Sequence, residues 1–286
     1  MKENSEKPGL IFDRMIVLTI FLSLGTLIIL VFSPWRPMLD RKYDYLGRLI
    51  LIALLFSVSQ FTKQKPHLHK FWLVLYGLFI LITASSLDYI TGSYLINRIG
   101  ITDATPMGWT IQKVNEFVVV IGTVLILNKL GGLDLKSLYI QRWKLKLGLI
   151  IGVSTFLLAT AGSIPMAALF NAKNLTIPQI LPWIPWILIY VLSNAAMEEI
   201  LFRGLFLQKL TPYVGRFIAS LLIAIVFTLI HAFTSYSVDN LIFLAVLFPL
   251  ALTWGWITQK TEGVWASILF HAGMDIPIML GIFSNL

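Results

Sequence analysis

Apolar residues in this chain run in long blocks, without the short alternation of half-buried strands or the one-sided stripe of soluble helices. About nine blocks approach the roughly 20 residues that a helix needs to cross a bilayer core. They are Met15 to Ser33, Leu46 to Thr62, Phe71 to Ser86, Val114 to Asn128, Leu145 to Phe170, Leu181 to Leu210, Phe217 to Phe233, Leu241 to Ile257 and Val264 to Phe283. Helix breakers fall between them: Pro34 with Pro37, Pro66, Gly131 with Gly132, Pro212 and Gly263. Asn115 and Glu116 shorten the fourth block. The stretch from Leu87 to Lys113, with Gly92, Gly100, Pro106 and Gly108, reads as an extramembrane loop. The pattern predicts an all-α fold, a polytopic transmembrane helix bundle of about eight or nine helices.

Composition agrees with the pattern. The chain is 57% apolar and 13% charged with a mean hydropathy of +0.83, against about 45–50% and about 25% in soluble domains. The absence of Cys removes disulfides, thiol nucleophiles, Fe–S clusters and Cys-built zinc sites. Lys and Arg outnumber Asp and Glu by 22 to 14, but they cluster in short gaps between blocks, as the positive-inside rule requires. The expected partners are therefore the lipid bilayer and a membrane-associated protein or peptide, with no nucleic acid, and the expected location is the inner cell membrane. Lys2, Lys7 and Arg14 precede the first block as in a signal peptide. That block is too long for one and lacks a small-x-small cleavage site, so it is read as a transmembrane helix.

Charge also orients the bundle. Lys129, Lys136, Arg142, Lys144 and Lys146 place the fourth connection in the cytoplasm, and the uncharged-by-Lys/Arg connection Thr234 to Asn240 lies outside. Alternation then gives a cytoplasmic N-terminus, with which Arg36, Arg41, Lys42 and Arg48 conflict. Trp35, Trp72, Trp143, Trp254 and Trp265 fall near block ends, as in an interfacial aromatic belt.

An ionised side chain at the centre of an inserted helix costs about 2.5–3.5 kcal/mol, so it has a partner or a task. The sixth block contains Glu198, Glu199 and Arg203. Neighbours on a helix point about 100° apart, so the two carboxylates address different partners, whereas Glu199 and Arg203 can pair at i, i+4. Arg203 is expected to hold Glu199 ionised, leaving Glu198 as candidate general base. His67 and His69 sit in a polar gap, but His231 and His271 stand in the seventh and ninth blocks. Phe227, one turn before His231, can wall it off; His271 and Asp275, also i, i+4, can address one point. Counting about 1.5 Å per residue from the block starts puts Glu198, His231, His271 and Asp275 within about 10 Å along the membrane normal.

With no Cys and no Ser-x-Gly elbow, this set suggests water activation. Two chemistries fit. A Zn²⁺ held by Glu198, His231 and His271 would acidify a bound water, although the His-Glu-x-x-His helix signature is absent. Alternatively, Glu198 and His231 deprotonate water directly and His271 with Asp275 stabilises the oxyanion.

Taken in order, Glu198-Glu199-x-x-x-Arg203, Phe227-x-x-x-His231 and His271-x-x-x-Asp275 resemble the motifs of the CPBP family, also called Abi or type II CAAX prenyl proteases. The resemblance divides the chain into N-terminal transmembrane helices of unassigned role, 1–142, and a CPBP-like catalytic core, 143–286. It implies an intramembrane endopeptidase of CAAX type, often labelled a metalloprotease, working near the cytosolic side on a membrane-associated, in some relatives prenylated, substrate. Carried over, Glu198 and His231 would activate water, His271 and Asp275 would form the oxyanion side, and Glu199, Arg203 and Phe227 would support them. Asp275 stands where the prenyl proteases usually have Asn. Bacterial relatives are linked to bacteriocin production and self-immunity, so a non-catalytic membrane scaffold or immunity protein is the alternative. A proton-coupled transporter would also use such groups, but no inverted repeat points to one.

Overall fold

The computed structural model of the chain describes residues 8–33, 38–234 and 237–286. Lys2, Lys7, Pro34, Trp35, Arg36 and Pro37 lie outside the described residues. The described residues contain no strand. They form α1 (Pro8–Thr26), α2 (Arg41–Gln64), α3 (Trp72–Arg98), α4 (Pro106–Leu130), α5 (Leu145–Ala161), α6 (Ser163–Met166), α7 (Ile177–Ile180), α8 (Ile184–Glu198), α9 (Leu205–Ile230), α10 (Asn240–Thr261) and α11 (Trp265–Phe283), joined in part by short 3₁₀ and π turns.

Among these residues seven helical segments are long and apolar enough to cross a membrane, and eight if α5 with Ser163–Phe170, bent by 63°, makes one span. One segment, Ile177–Ile230, has 54 residues. Straight, it would reach about 80 Å, far beyond a hydrocarbon core of about 30 Å. It doubles back at Gly215, whose φ of 77° and ψ of 168° only glycine adopts readily. Phe227 thereby returns to Phe202, ring centroids 5.2 Å apart. The sixth and seventh blocks are thus separate passes, and the chain is a multi-pass integral membrane protein with an all-α bundle fold.

Three readings are corrected. Leu87 to Lys113 is mostly helix: α3 runs through Arg98, and α4 begins at Pro106, where the Thr105 hydroxyl caps the Gly108 N–H at 3.0 Å. Its polar residues face a cavity inside the protein, so hydropathy mistook an inward face for a loop. Trp254 is not interfacial: it is 1% exposed in the core. Trp72 is likewise buried, whereas Trp143 and Trp265 are open to the surroundings. Arg48, counted as a loop charge, is buried, paired with Asp44 at 2.8 Å and bonded to the Ser33 carbonyl at 3.1 Å. Paired in this way it no longer counts in the loop charge that the positive-inside rule weighs.

The remaining cations sort by end. Arg14, Lys63, Lys70, Lys136, Lys144 and Arg216 lie at one end, tied by Arg14 to the Tyr213 carbonyl, Lys63 to the Gly131 carbonyl and Gln259 to the Arg216 carbonyl.

Helix α11 is fixed by close packing on α5. A Cβ at Gly152 would meet the Ala266 backbone at 3.1 Å, and one at Gly273 would meet Phe156 Cα at 3.0 Å. Backbones approach this closely only through small residues, the usual device where no hydrophobic effect separates helix from lipid. The two halves of the chain share one core, which includes Val17, Phe21, Leu78, Val124, Val191, Leu205, Phe227 and Met279.

Candidate active site

Four passes meet at the site. Glu198 ends α8, and the turn that follows, Glu199–Gly204, is a π-helix. Such a widened turn re-aims the side chains around it and is frequent at functional sites. It sends the two carboxylates to different partners. Glu199, fully buried, accepts from Arg203 Nη1 at 3.0 Å and from His271 Nδ1 at 2.9 Å through one oxygen. Arg203 also donates to the Ala251 carbonyl at 3.0 Å and lies over the Phe227 ring at 4.4 Å. Its charge is thus matched by Glu199 and covered by an aromatic face, as a buried guanidinium requires.

Glu198 is different. It is 4% exposed, and its Oε2 has no hydrogen-bond partner among the described residues. That atom lies 3.6 Å from His271 Nε2. His271 is clamped on both sides: Nδ1 donates to Glu199, and the ring stacks on Trp254 at 4.0 Å with planes 11° apart. Holding Nδ1–H this way leaves Nε2 as the free nitrogen. Nε2 faces Glu198 and also Asp275 Oδ1, at 3.6 Å.

Asp275, one turn beyond His271 on α11, does not bond to that ring. Its Oδ2 accepts from Asn194 Nδ2 at 2.9 Å. Asn194 precedes Glu198 by one turn on α8, so the two share a face. Sequence reasoning gave Asn194 no role; its i, i+4 spacing to Glu198 was the available signal. His231 stands just past α9, with Nδ1 2.8 Å from the Phe227 carbonyl, so its Nε2 is likewise the free nitrogen. Phe227 packs against His231 at 4.8 Å and edge-on to His271 at 5.8 Å. Trp254 was the other omission, because a lone Trp in an apolar helix carries no pattern.

Glu198, Asn194, His231, His271 and Asp275 line one cavity of about 1010 Å³. Its other walls are Asp88, Lys113 and Glu116 from α3 and α4, and it extends to Ser33, Met38, Thr102, Asp103 and Thr234. These last residues belong to the end opposite the basic loops. The cavity thus extends toward that end of the bundle.

No three His, Asp or Glu side chains among the described residues gather with metal-ligating geometry. His271 presents its Nε2 to Glu198 and Asp275, and its Nδ1 is committed to Glu199.

Residues 178–277 match the family model described as Type II CAAX prenyl endopeptidase Rce1-like. Neither the curated proteins nor the solved structures contain a match to the chain. The matched segment holds Asn194, Glu198, Glu199, Arg203, Phe227, His231, His271 and Asp275, and none of the first four passes. Through this segment, about a third of the chain, the protein is similar to the CPBP family of type II CAAX prenyl endopeptidases.

Proposed function

We propose that the chain hydrolyses a peptide bond of a membrane-associated substrate with a water activated by Glu198. The observation that carries this reading is the unpartnered Glu198 oxygen beside the free Nε2 of His271 on the wall of a large cavity. Glu198 takes a proton from the water, whose oxygen attacks the scissile carbonyl carbon. Glu199 and Trp254 hold His271 so that its Nε2 accepts the water's second hydrogen and orients it. When the C–N bond breaks, the leaving amine takes the proton that Glu198 removed, and His231 Nε2 lies on the same cavity to assist that transfer.

The oxyanion needs a donor, and the Nδ1–H groups of both histidines are spent elsewhere. Asn194 has two N–H groups and gives one to Asp275. The second is the oxyanion donor in this reading. Asp275 then acts by holding the amide and need not be protonated, which dissolves the difficulty of a carboxylate facing a developing anion.

This reading routes no step through a metal. The test is the purified full chain in detergent with a peptide ending in a prenylated Cys and three further residues, products read by mass spectrometry. Release of a carboxy-terminal fragment, unchanged by a strong chelator, is expected. A folded chain that cleaves neither this peptide nor its unprenylated form overturns the enzyme reading. Activity lost to chelator and restored by Zn²⁺ overturns the metal-free mechanism.

A further inference from the structure

The wall of the cavity opposite the α8–α11 cluster carries charge that hydrolysis does not use. On α4, Lys113 pairs with Glu116, and both are largely buried. On α3, Asp88 is 9% exposed and makes no hydrogen bond or ion pair with any described residue. Asp88, Glu116 and Glu198 also line one recess off the main cavity. The Lys113–Glu116 pair carries no net charge, so with Asp88 this wall keeps a net negative charge around its one lysine, and Asp103 adds another toward the mouth. An isolated carboxylate removed from water is costly and calls for a cation.

We propose that Asp88 is a recognition site for a basic side chain of the substrate, a lysine or arginine bound within reach of Glu198. The proposal rests on the reading of this cavity as a peptide-binding cleft. Three features favour it. Asp88 and Glu198 line the same large cavity as well as the small recess of about 30 Å³ between them, so a side chain paired with Asp88 in the cavity lies near the scissile bond. The cavity holds Asp88, Asp103, Glu116, Glu198 and Asp275 against a single Lys, so its field draws cations inward. Surroundings of low dielectric strengthen a pair formed there over one in water. The N-terminal passes, which carry no catalytic motif, would then supply selectivity for a core that supplies chemistry.

The test is calorimetric binding to the detergent-solubilised full chain carrying Glu198→Gln, so that nothing is cleaved during titration. The probes are a capped apolar pentapeptide with one central lysine and the same peptide with norleucine in its place. At least about tenfold tighter binding of the lysine peptide is expected, which corresponds to about 1.4 kcal/mol. Asp88→Asn should abolish that preference without weakening the norleucine peptide, and Asp88→Glu should retain it, which shows that loss in Asp88→Asn is not misfolding. Equal affinities, a preference that survives Asp88→Asn, or no binding of the lysine peptide each overturn the proposal. Because binding is read without turnover, a preference seen in a chain whose wild type cleaves no peptide would leave the recognition site standing and remove only the enzyme reading.

Discussion

Asp44–Arg48 in α2 and Glu199–Arg203 in the turn after α8 are alike in most of what a sequence encodes. Each is an acidic–basic pair at i, i+4, with side chains at most 1% exposed. Each arginine reaches a backbone carbonyl, Ser33 at 3.1 Å or Ala251 at 3.0 Å, and each lies over an aromatic ring, Tyr89 at 4.3 Å or Phe227 at 4.4 Å. They part at the carboxylate. Each has a second oxygen without a hydrogen-bond partner among the described residues, but the bonded oxygen of Asp44 meets Arg48 alone. Glu199 passes its charge to His271, whose far nitrogen faces Glu198 and the cavity. Burial and pairing therefore do not mark a site; a pair that holds a third group facing open space does.

The contrast is widest at Glu198, which has no counterpart beside Asp44. Glu198→Gln should lower kcat by about 10²–10⁴-fold, the range for loss of a general base, with thermal unfolding little changed because a neutral amide replaces a buried unpartnered carboxylate. Wild-type turnover in this variant would dissolve the contrast altogether. Next comes Asn194→Ala, which removes the proposed oxyanion donor: a fall of about 10²–10³-fold in kcat is expected, with KM moved far less. Equal effects on kcat and KM would instead make Asn194 a substrate-binding group.

Glu199→Gln and Asp44→Asn test the pairs against each other. Both strand a buried guanidinium, which costs up to about 3–5 kcal/mol, and denaturation midpoints should fall by comparable amounts. Turnover per folded molecule should fall only in Glu199→Gln, by about tenfold or more, since only there does a histidine lose its anchor. If Asp44→Asn slows the folded fraction as much, the two pairs are equivalent and the distinction drawn from the cavity fails.

How legible this was from residues follows the same line. The bundle was readable because lipid allows few solutions: blocks of apolar residues must be helices, and even the hairpin at Gly215 was announced by Pro212. The helices of the candidate site stood out because ionisable groups in them are costly enough to be informative one at a time, and i, i+4 spacing pointed to the pairing of Glu199 with Arg203. The inward faces of α3 and α4 did not. Asp88, Lys113 and Glu116 line a cavity that only assembly creates, so the end of α3 and the start of α4 looked like a polar loop and Glu116 like a break in the fourth block. Asn194 and Trp254 were missed for a related reason: their partners, Asp275 and His271, lie on other helices, and nothing local records that they meet.

The finest difference between the two pairs lies in their aromatic cover. Phe32, 5.7 Å from the Arg48 guanidinium, and Phe227, 4.4 Å from that of Arg203, are both buried phenylalanines beside a paired arginine. Changing either to Leu removes a ring face and leaves a small void, so both should cost about 1–2 kcal/mol of stability, with Phe227→Leu at the upper end because its ring is nearer the charge. Phe227, however, also touches His231 and His271 and packs edge-on against Trp254 at 5.9 Å. Losing it frees two imidazoles whose directions matter, and turnover should drop by about threefold to tenfold, a modest version of the penalty for misplaced catalytic groups. Phe32→Leu should leave turnover of the folded protein unchanged. Steady-state rates normalised to folded protein separate the two. A rate loss in both variants would mean that the bundle transmits packing changes to the site from anywhere, and a loss in neither would mean that Glu199 and Trp254 alone are sufficient to hold His271.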